Sequence, residues 1–382
     1  MNMKTKKTLI LSSIVLIAGY FLLVFISNLK DHPIPFPASE EVLAMGFNPQ
    51  KSLKFCVYQD KSKGRVLSTV IVKNNQEYLL PLASSYLSLF DTSITYFENS
   101  HALIKNIKEA KPLVRKLIKE ASALGFPNAT LQEKDVDLQP FMEIPTKLLH
   151  GTQSMDHYRN AKRAAVKRGL PNLGRFILIP YNFVTNDDFY STSEEDQKFD
   201  FFHGNNTGLY TTGDTVPLQE GVKELDVEVE LAVVISKPGR NIAKEEANEY
   251  IAGYLFFNDF TDREAQRKER SETYTGYQES KYISSLGAYF VTDIDPSKFA
   301  VRTLINGKEV ASACNDEIID FMPLDEQIVN YSKYFLASGQ VIALGTMRGG
   351  SLFELDIPML RKGDVVEFQA NQGLGNTIHT IH

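Results

Sequence analysis

Apolar and polar residues change rhythm several times along this chain, and each change predicts a different element. Residues 8–27 (TLILSSIVLIAGYFLLVFIS) run without a charge, and such a length of helix reaches about 30 Å, the thickness of a bilayer's hydrocarbon core. Lys4, Lys6 and Lys7 precede it, so the positive-inside tendency predicts a transmembrane signal anchor over 1–30, with the rest of the protein membrane-anchored and extracytosolic. A cleaved leader would have a shorter apolar region ending at small residues, which FLLVFISNLK lacks. Residues 31–48 carry three prolines in DHPIPFP and read as an extended linker.

From 49 to 142 the pattern becomes short alternating runs, LKFCVYQ, RVLSTVIVK and EYLLPL, separated by polar turns. These predict a small antiparallel sheet. Over 104–124 the period lengthens, placing Val114, Leu117, Ile118 and Ala121 on one helical face, and Pro112 marks the start of a second helix. This stretch is a small α+β N-terminal domain. From 143 to 382 strand-like runs dominate: VEVELAVVI, YIAGYLFFND, AYFVTDI, VRTLING, QVIALGT and DVVEFQA, each closed by Gly, Asn or Asp. Helical interruptions are predicted at 158–167 and 244–250, a polar inserted loop at 187–197, and a surface tail at the C-terminal NTIHTIH. The fold class is therefore mixed and mostly β.

Composition narrows this reading only a little. With 43% hydrophobic and 23% charged residues the chain is an ordinary folded protein, and a formal net charge of -6 with no basic block argues against nucleic acid as a partner. Cys56 and Cys314 lack metal-ligand spacing and read as small buried residues that could pair.

The chemistry concentrates in LDVEVELAVVI. A strand period of two puts Asp226, Glu228 and Glu230 on one face and Val227, Val229 and Leu231 on the other. Three carboxylates on one face are either a solvated surface or a site for a hard divalent cation. Asp259, closing the apolar run YLFFND, supplies a further carboxylate where a buried strand would otherwise end on an unpartnered acid.

Those two segments, DVEVELAVVI and YIAGYLFFNDFTDREAQ, resemble the metal-binding heart of the fumarylacetoacetase superfamily, with E-x-E on one strand and an N-D…R-x-x-Q segment after a G-Y turn. Further landmarks follow in order: Lys281 before SSLGAYFVT, VRTLINGKEV, GQVIALGT and RKGDVVEF. Upstream, IPTKLLHGTQSMDHYRNAKRAAVKRGLP is similar to the segment bearing the active-site histidine, so the resemblance spans 145–382. It implies that Glu228, Glu230 and Asp259 hold the cation, with Mg favoured over Mn or Ca, and that Asp226 stands behind them. It implies His157 as general base oriented by Glu354, Lys281 facing a developing oxyanion, and Arg263, Gln266 and Thr346 binding substrate. The implied activity is metal-dependent hydrolysis of a carbon–carbon bond in a small 1,3-dioxo acid of the fumarylacetoacetate or acylpyruvate kind, in a homodimer. Two departures stand out. The family's upstream metal carboxylate has no clear counterpart in HGTQSMD, which offers His150, Thr152 or Asp156, and GTMRGG replaces the more usual G-T-P. Isomerase, hydratase or decarboxylase chemistry, and a membrane-tethered, non-catalytic binding protein, are the competing expectations.

Overall fold

The computed structural model describes residues 18–20, 38–131, 136–151, 154–169, 201–272, 277–315 and 323–382. The alternating runs near the start form an antiparallel meander, Lys54–Asp60, Gly64–Lys73 and Gln76–Pro81. Helix Ile107–Ala123 packs on it, burying Val114, Leu117 and Ala121 and half-burying Ile118. It starts five residues earlier than Pro112 suggests. Pro112 lies inside, where the helix forgoes one main-chain bond, while Ile107 and Ala110 already anchor the first turns in the core.

Strand Lys54–Asp60 also pairs with Tyr289–Val291, so the meander continues into a larger sheet of thirteen described strands. At the middle of that sheet lies the acidic strand, Leu225–Ile235, between the aromatic strand Ile251–Asp262 and Gln340–Ala343; beyond the latter comes Lys147–Gly151. A second sheet of five strands contains Ala300–Ile305, Lys308–Cys314, Val365–Ala370 and Gly375–Ile381. The architecture is mixed and β-rich.

The acidic strand is buried from end to end, and its period of two serves two cores. Val227, Val229, Leu231 and Val233 join Val301, Val366 and Phe368 of the second sheet in one core. On the opposite face, Ala232 and Val234 join Leu255, Phe257 and the N-terminal helices in another. Only the first half of that face is acidic, and it opens onto the site described below.

Two expectations are corrected here. Among the described residues no helix is long and apolar enough to cross a membrane. The run 8–27 lies outside the described residues apart from 18–20; the transmembrane element and the membrane-anchored placement are not carried forward. The C-terminal segment is not a surface tail: Gly375–Ile381 is a sheet strand and His379 is buried, with Nε2 2.6 Å from Ser285 Oγ and Nδ1 3.1 Å from the Asp214 carbonyl, while His382 is exposed. Cys56 and Cys314 are small buried residues, as read from the sequence; both are free, and burial pushes the Cys56 thiol up to about 12. The predicted helical interruptions are found at Met155–Gly169 and, as a 3-10 helix, at Lys244–Tyr250. The predicted loop over 187–197 lies outside the described residues.

Candidate metal centre and histidine–glutamate pair

Antiparallel pairing sets Glu228 opposite Asp259 and Asp226 opposite Thr261. Residues directly opposite one another share a face, so the two strands bring their carboxylates together as the sequence pattern requires. The solvated-face alternative fails on burial: Asp226, Glu228, Glu230 and Asp259 are 0%, 4%, 2% and 0% exposed. Charges this deep need partners.

Asp226 and Glu228 find theirs within the chain. Arg263, first residue of the helix that follows the aromatic strand, donates Nε and Nη2 to Asp226 at 2.7 and 2.5 Å, approaches Glu228 at 2.7 Å, and donates Nη1 to Gln266 at 2.8 Å. The Leu352 and Phe353 amides also point at Asp226. Burial, with the Glu228 charge in the same sense, pushes the Asp226 carboxyl upward against the pull of Arg263. For Glu228 burial acts in the same sense but is overcome by Arg263, Lys281 and His157, which hold it well below the usual carboxylate range. Lys281 Nζ donates to Glu228, to Asp259 Oδ2 at 2.7 Å and to Thr261 at 3.2 Å. Burial alone would lower this ammonium; Asp259 and Glu228 reverse that and raise it.

Glu230 is differently placed. The Gly345 amide donates to it at 2.8 Å, and burial, reinforced by the Asp259 charge, pushes its carboxyl well above the usual range. Beside it stands His150 at the end of Lys147–Gly151, with Nδ1 3.3 Å from Asp259 Oδ2 and neither ring nitrogen hydrogen-bonded. Potential ligand atoms of His150, Glu230 and Asp259 lie within 4.8 Å of one another. A repelled carboxylate, a second carboxylate and a buried imidazole without a hydrogen bond fit a divalent cation. Of the three acids expected to hold one, Glu230 and Asp259 fall in this set, while Glu228 faces the two side-chain cations. His150 carries the same signal as Asp259, a polar residue closing an apolar run (KLLH), and the sequence reading noted it without assigning it.

At the mouth of the cluster is His157, in the first turn of Met155–Gly169, where the Ser154 hydroxyl accepts from its amide at 3.1 Å. His157 Nδ1 is 2.7 Å from Glu354 Oε2, and Nε2 is 3.8 Å from Glu228 Oε1. Glu354 is fully buried and also accepts from Asn160 Nδ2 at 2.8 Å and the Gly349 amide at 2.9 Å. The structure thus brings His157, Glu354, Lys281, Glu228, Glu230 and Asp259 into one pocket. Arg263 and Gln266 lie beneath it, and neither Asp262 nor Glu264 is Arg263's partner. Thr346, also buried, follows the Gly345 amide that holds Glu230.

A buried acidic pocket with a histidine–glutamate pair at its mouth, on a two-sheet β scaffold, is the architecture of a metal-site enzyme class. The chain belongs to the fumarylacetoacetate hydrolase family: the model of that family's C-terminal domain matches residues 181–382, more than half of the chain. It is similar to an uncharacterized protein of Archaeoglobus fulgidus, 35% identical over 166 residues, 43% of this chain and 61% of that protein. The match to a Methanocaldococcus jannaschii protein is comparable, at 34% over 154 residues, 40% of this chain and 60% of that one. The chain therefore spans about three fifths of the length of these two relatives. Across 308 residues it is 24% identical to the mitochondrial oxaloacetate tautomerase fahd2 of Xenopus laevis, covering 73% of this chain and 95% of that protein. Two solved structures share the fold. One is a probable 2-hydroxyhepta-2,4-diene-1,7-dioate isomerase from Mycobacterium abscessus, with TM-score 0.57, 20% identity, and 87% and 98% of the two chains covered. The other is maleylpyruvate hydrolase from Sphingobium with manganese(II) and pyruvate, with TM-score 0.55, 17% identity, and 86% and 98% covered.

Proposed function

We propose that this protein is a metal-dependent hydrolase that cleaves a carbon–carbon bond in a small 1,3-dioxo acid of the fumarylacetoacetate or acylpyruvate kind, working as a homodimer. The observation that carries the reading is the His157–Glu354 pair aimed at the acidic pocket. With Nδ1–H donated to Glu354, the other nitrogen, Nε2, is left as a base facing the carboxylates.

Nε2 takes a proton from water as the water oxygen attacks a carbonyl carbon. The carbon–carbon bond then breaks, its electron pair stays with the departing carbon as an enolate, and the proton on His157 is available to return to that carbon. Glu354 stabilises the imidazolium in between. A divalent cation held by Glu230 and Asp259 would supply Lewis-acid polarisation of the substrate's paired oxygens. We assign Lys281 to the oxygen that gains negative charge, and Thr346 and Gln266 to the substrate's polar end. Arg263 has donors committed to Asp226, Glu228 and Gln266 and is better described as positioning Glu228 and Gln266 than as a clamp on substrate.

A second reading is keto–enol tautomerisation of an oxo acid, favoured by the Xenopus relative, whose length is almost fully matched. Incubating the protein with a panel of 1,3-dioxo acids and with oxaloacetate, and following products by mass spectrometry and ultraviolet absorbance, separates the two. Two shorter acids from one substrate supports the hydrolase. A changed enol absorbance at constant mass replaces it with the tautomerase.

A further inference from the structure

Beside the carboxylates of Glu230 and Asp259 stands the imidazole of His150. It is 1% exposed, and both ring nitrogens are buried without a hydrogen bond. Leaving a buried polar group in that state is costly, so a ring held firmly there calls for a ligand. The hold is firm. His150 stacks on Phe202 with ring centroids 4.6 Å apart and planes 14° from parallel, and it meets Phe257 edge-on at 5.2 Å. Gly204 packs against the Nε2 side of the ring so closely that a Cβ would collide with it. Main-chain pairing aligns His150, Ala343 and Ala232 in a row across three strands, and the two alanines leave room for the imidazole to lie over the sheet. What remains is Nδ1, directed at Asp259 Oδ2.

We propose that His150 Nδ1 is a direct ligand, with Glu230 and Asp259, of the cation this pocket holds, and that this nitrogen makes the site select an imidazole-accepting transition ion such as Fe(II), Co(II) or Zn(II) over Mg(II) and Ca(II). The inference rests on the reading of the pocket as a cation site. Magnesium and calcium favour oxygen-only shells, whereas imidazole adds little for them and much for the later first-row ions. Glu228, answered by Arg263 and Lys281, is left to face His157 and the substrate side.

The experiment loads the full chain with Mn(II) as a paramagnetic probe and reads nitrogen ligation directly by pulsed electron paramagnetic resonance, alongside competition between Zn(II) and Mg(II). The expected result is an imidazole nitrogen coupling that changes isotope pattern when histidine is supplied as 15N. The coupling should be lost in His150→Asp and kept in His157→Gln, and the preference for Zn(II) over Mg(II) should be at least roughly tenfold smaller in His150→Asp than in the wild type. Because the 15N comparison uses the unaltered protein, it stands even if His150→Asp fails to fold. Mn(II) bound without histidine nitrogen coupling, or a coupling that His157→Gln removes, overturns the role of His150 and leaves the hydrolase reading intact. No Mn(II), Zn(II) or Mg(II) bound at all overturns both.

Discussion

The side chains of the pocket divide according to how their charges are answered, and that division sets what each substitution does. His157 and Glu354 form a unit in which the glutamate acts through the histidine. His157→Gln should lower kcat by roughly 10²–10⁴-fold while Mn(II) affinity, measured by titration calorimetry, stays near wild type; a matching fall in metal affinity would move His157 from base to ligand. Glu354→Gln should lower kcat less and shift the pH profile, since it alters the imidazolium rather than removing it. Arg263 is held by two buried carboxylates, and Arg263→Met would leave Asp226 without its cation and Glu228 to Lys281 alone. The expected loss is about 3–5 kcal/mol, read as a lower urea midpoint, with partial recovery in the Asp226→Asn, Arg263→Met double variant. A surface-like change of a few tenths of a kcal/mol would contradict the buried network. His379, which meets Phe260 edge-on and Ser285 rather than the carboxylates themselves, gives a pH prediction. Burial lowers its imidazole, so its contribution favours folding above the unfolded pKa of about 6.5 and is lost as pH falls from there through the folded value. Urea midpoints from about pH 7 down to 5 should fall less steeply for His379→Gln than for wild type; parallel curves would rule out this share.

At the scale of elements, the acidic strand shows how one sequence pattern serves two environments. Alternation puts its valines into one core, and on the other face a change from acids to Ala232 and Val234 takes the strand from the site into a second core. The pattern DVEVELAVVI therefore contained the site, its partner face and its floor. The strand of His150 contributes differently, because its bearing on the site depends on curvature: two strands separate it from the aromatic strand in hydrogen-bonding order, yet Nδ1 is 3.3 Å from Asp259. Gly204 belongs to this element-level fit. Gly204→Ala should push the imidazole aside and weaken Mn(II) binding by roughly tenfold with little change in secondary structure by circular dichroism. Unchanged binding would show that the ring has another resting place.

For the whole molecule, the aromatic strand is shared between both cores, with Phe256 and Phe260 facing one and Leu255 and Phe257 the other. The helices of residues 82–123 close the second core over Leu148, Ala232 and Leu255. A chain beginning at residue 143 would leave that apolar face open, so it should aggregate on expression, whereas one retaining residues 49–142 should stay in solution and bind metal. A soluble, metal-binding 143–382 fragment, seen by size exclusion and calorimetry, would show that the second core is dispensable.

What the sequence determined by itself was whatever depends on neighbours along the chain. Strand alternation identified the faces of Leu225–Ile235, helical spacing identified Val114, Leu117 and Ala121, and the acid ending an apolar run marked Asp259. Family resemblance added His157 and Glu354, which are almost two hundred residues apart and share no local pattern. Tertiary structure alone decided which cation answers which carboxylate, because that depends on the curvature of the sheet and on the direction in which Arg263 and Lys281 enter. It decided that Glu228 is neutralised while Glu230 is not, that His379 is buried, and that His150 reaches the carboxylates at all: an imidazole's role depends on what surrounds its two nitrogens in space, and nothing in KLLHG states that.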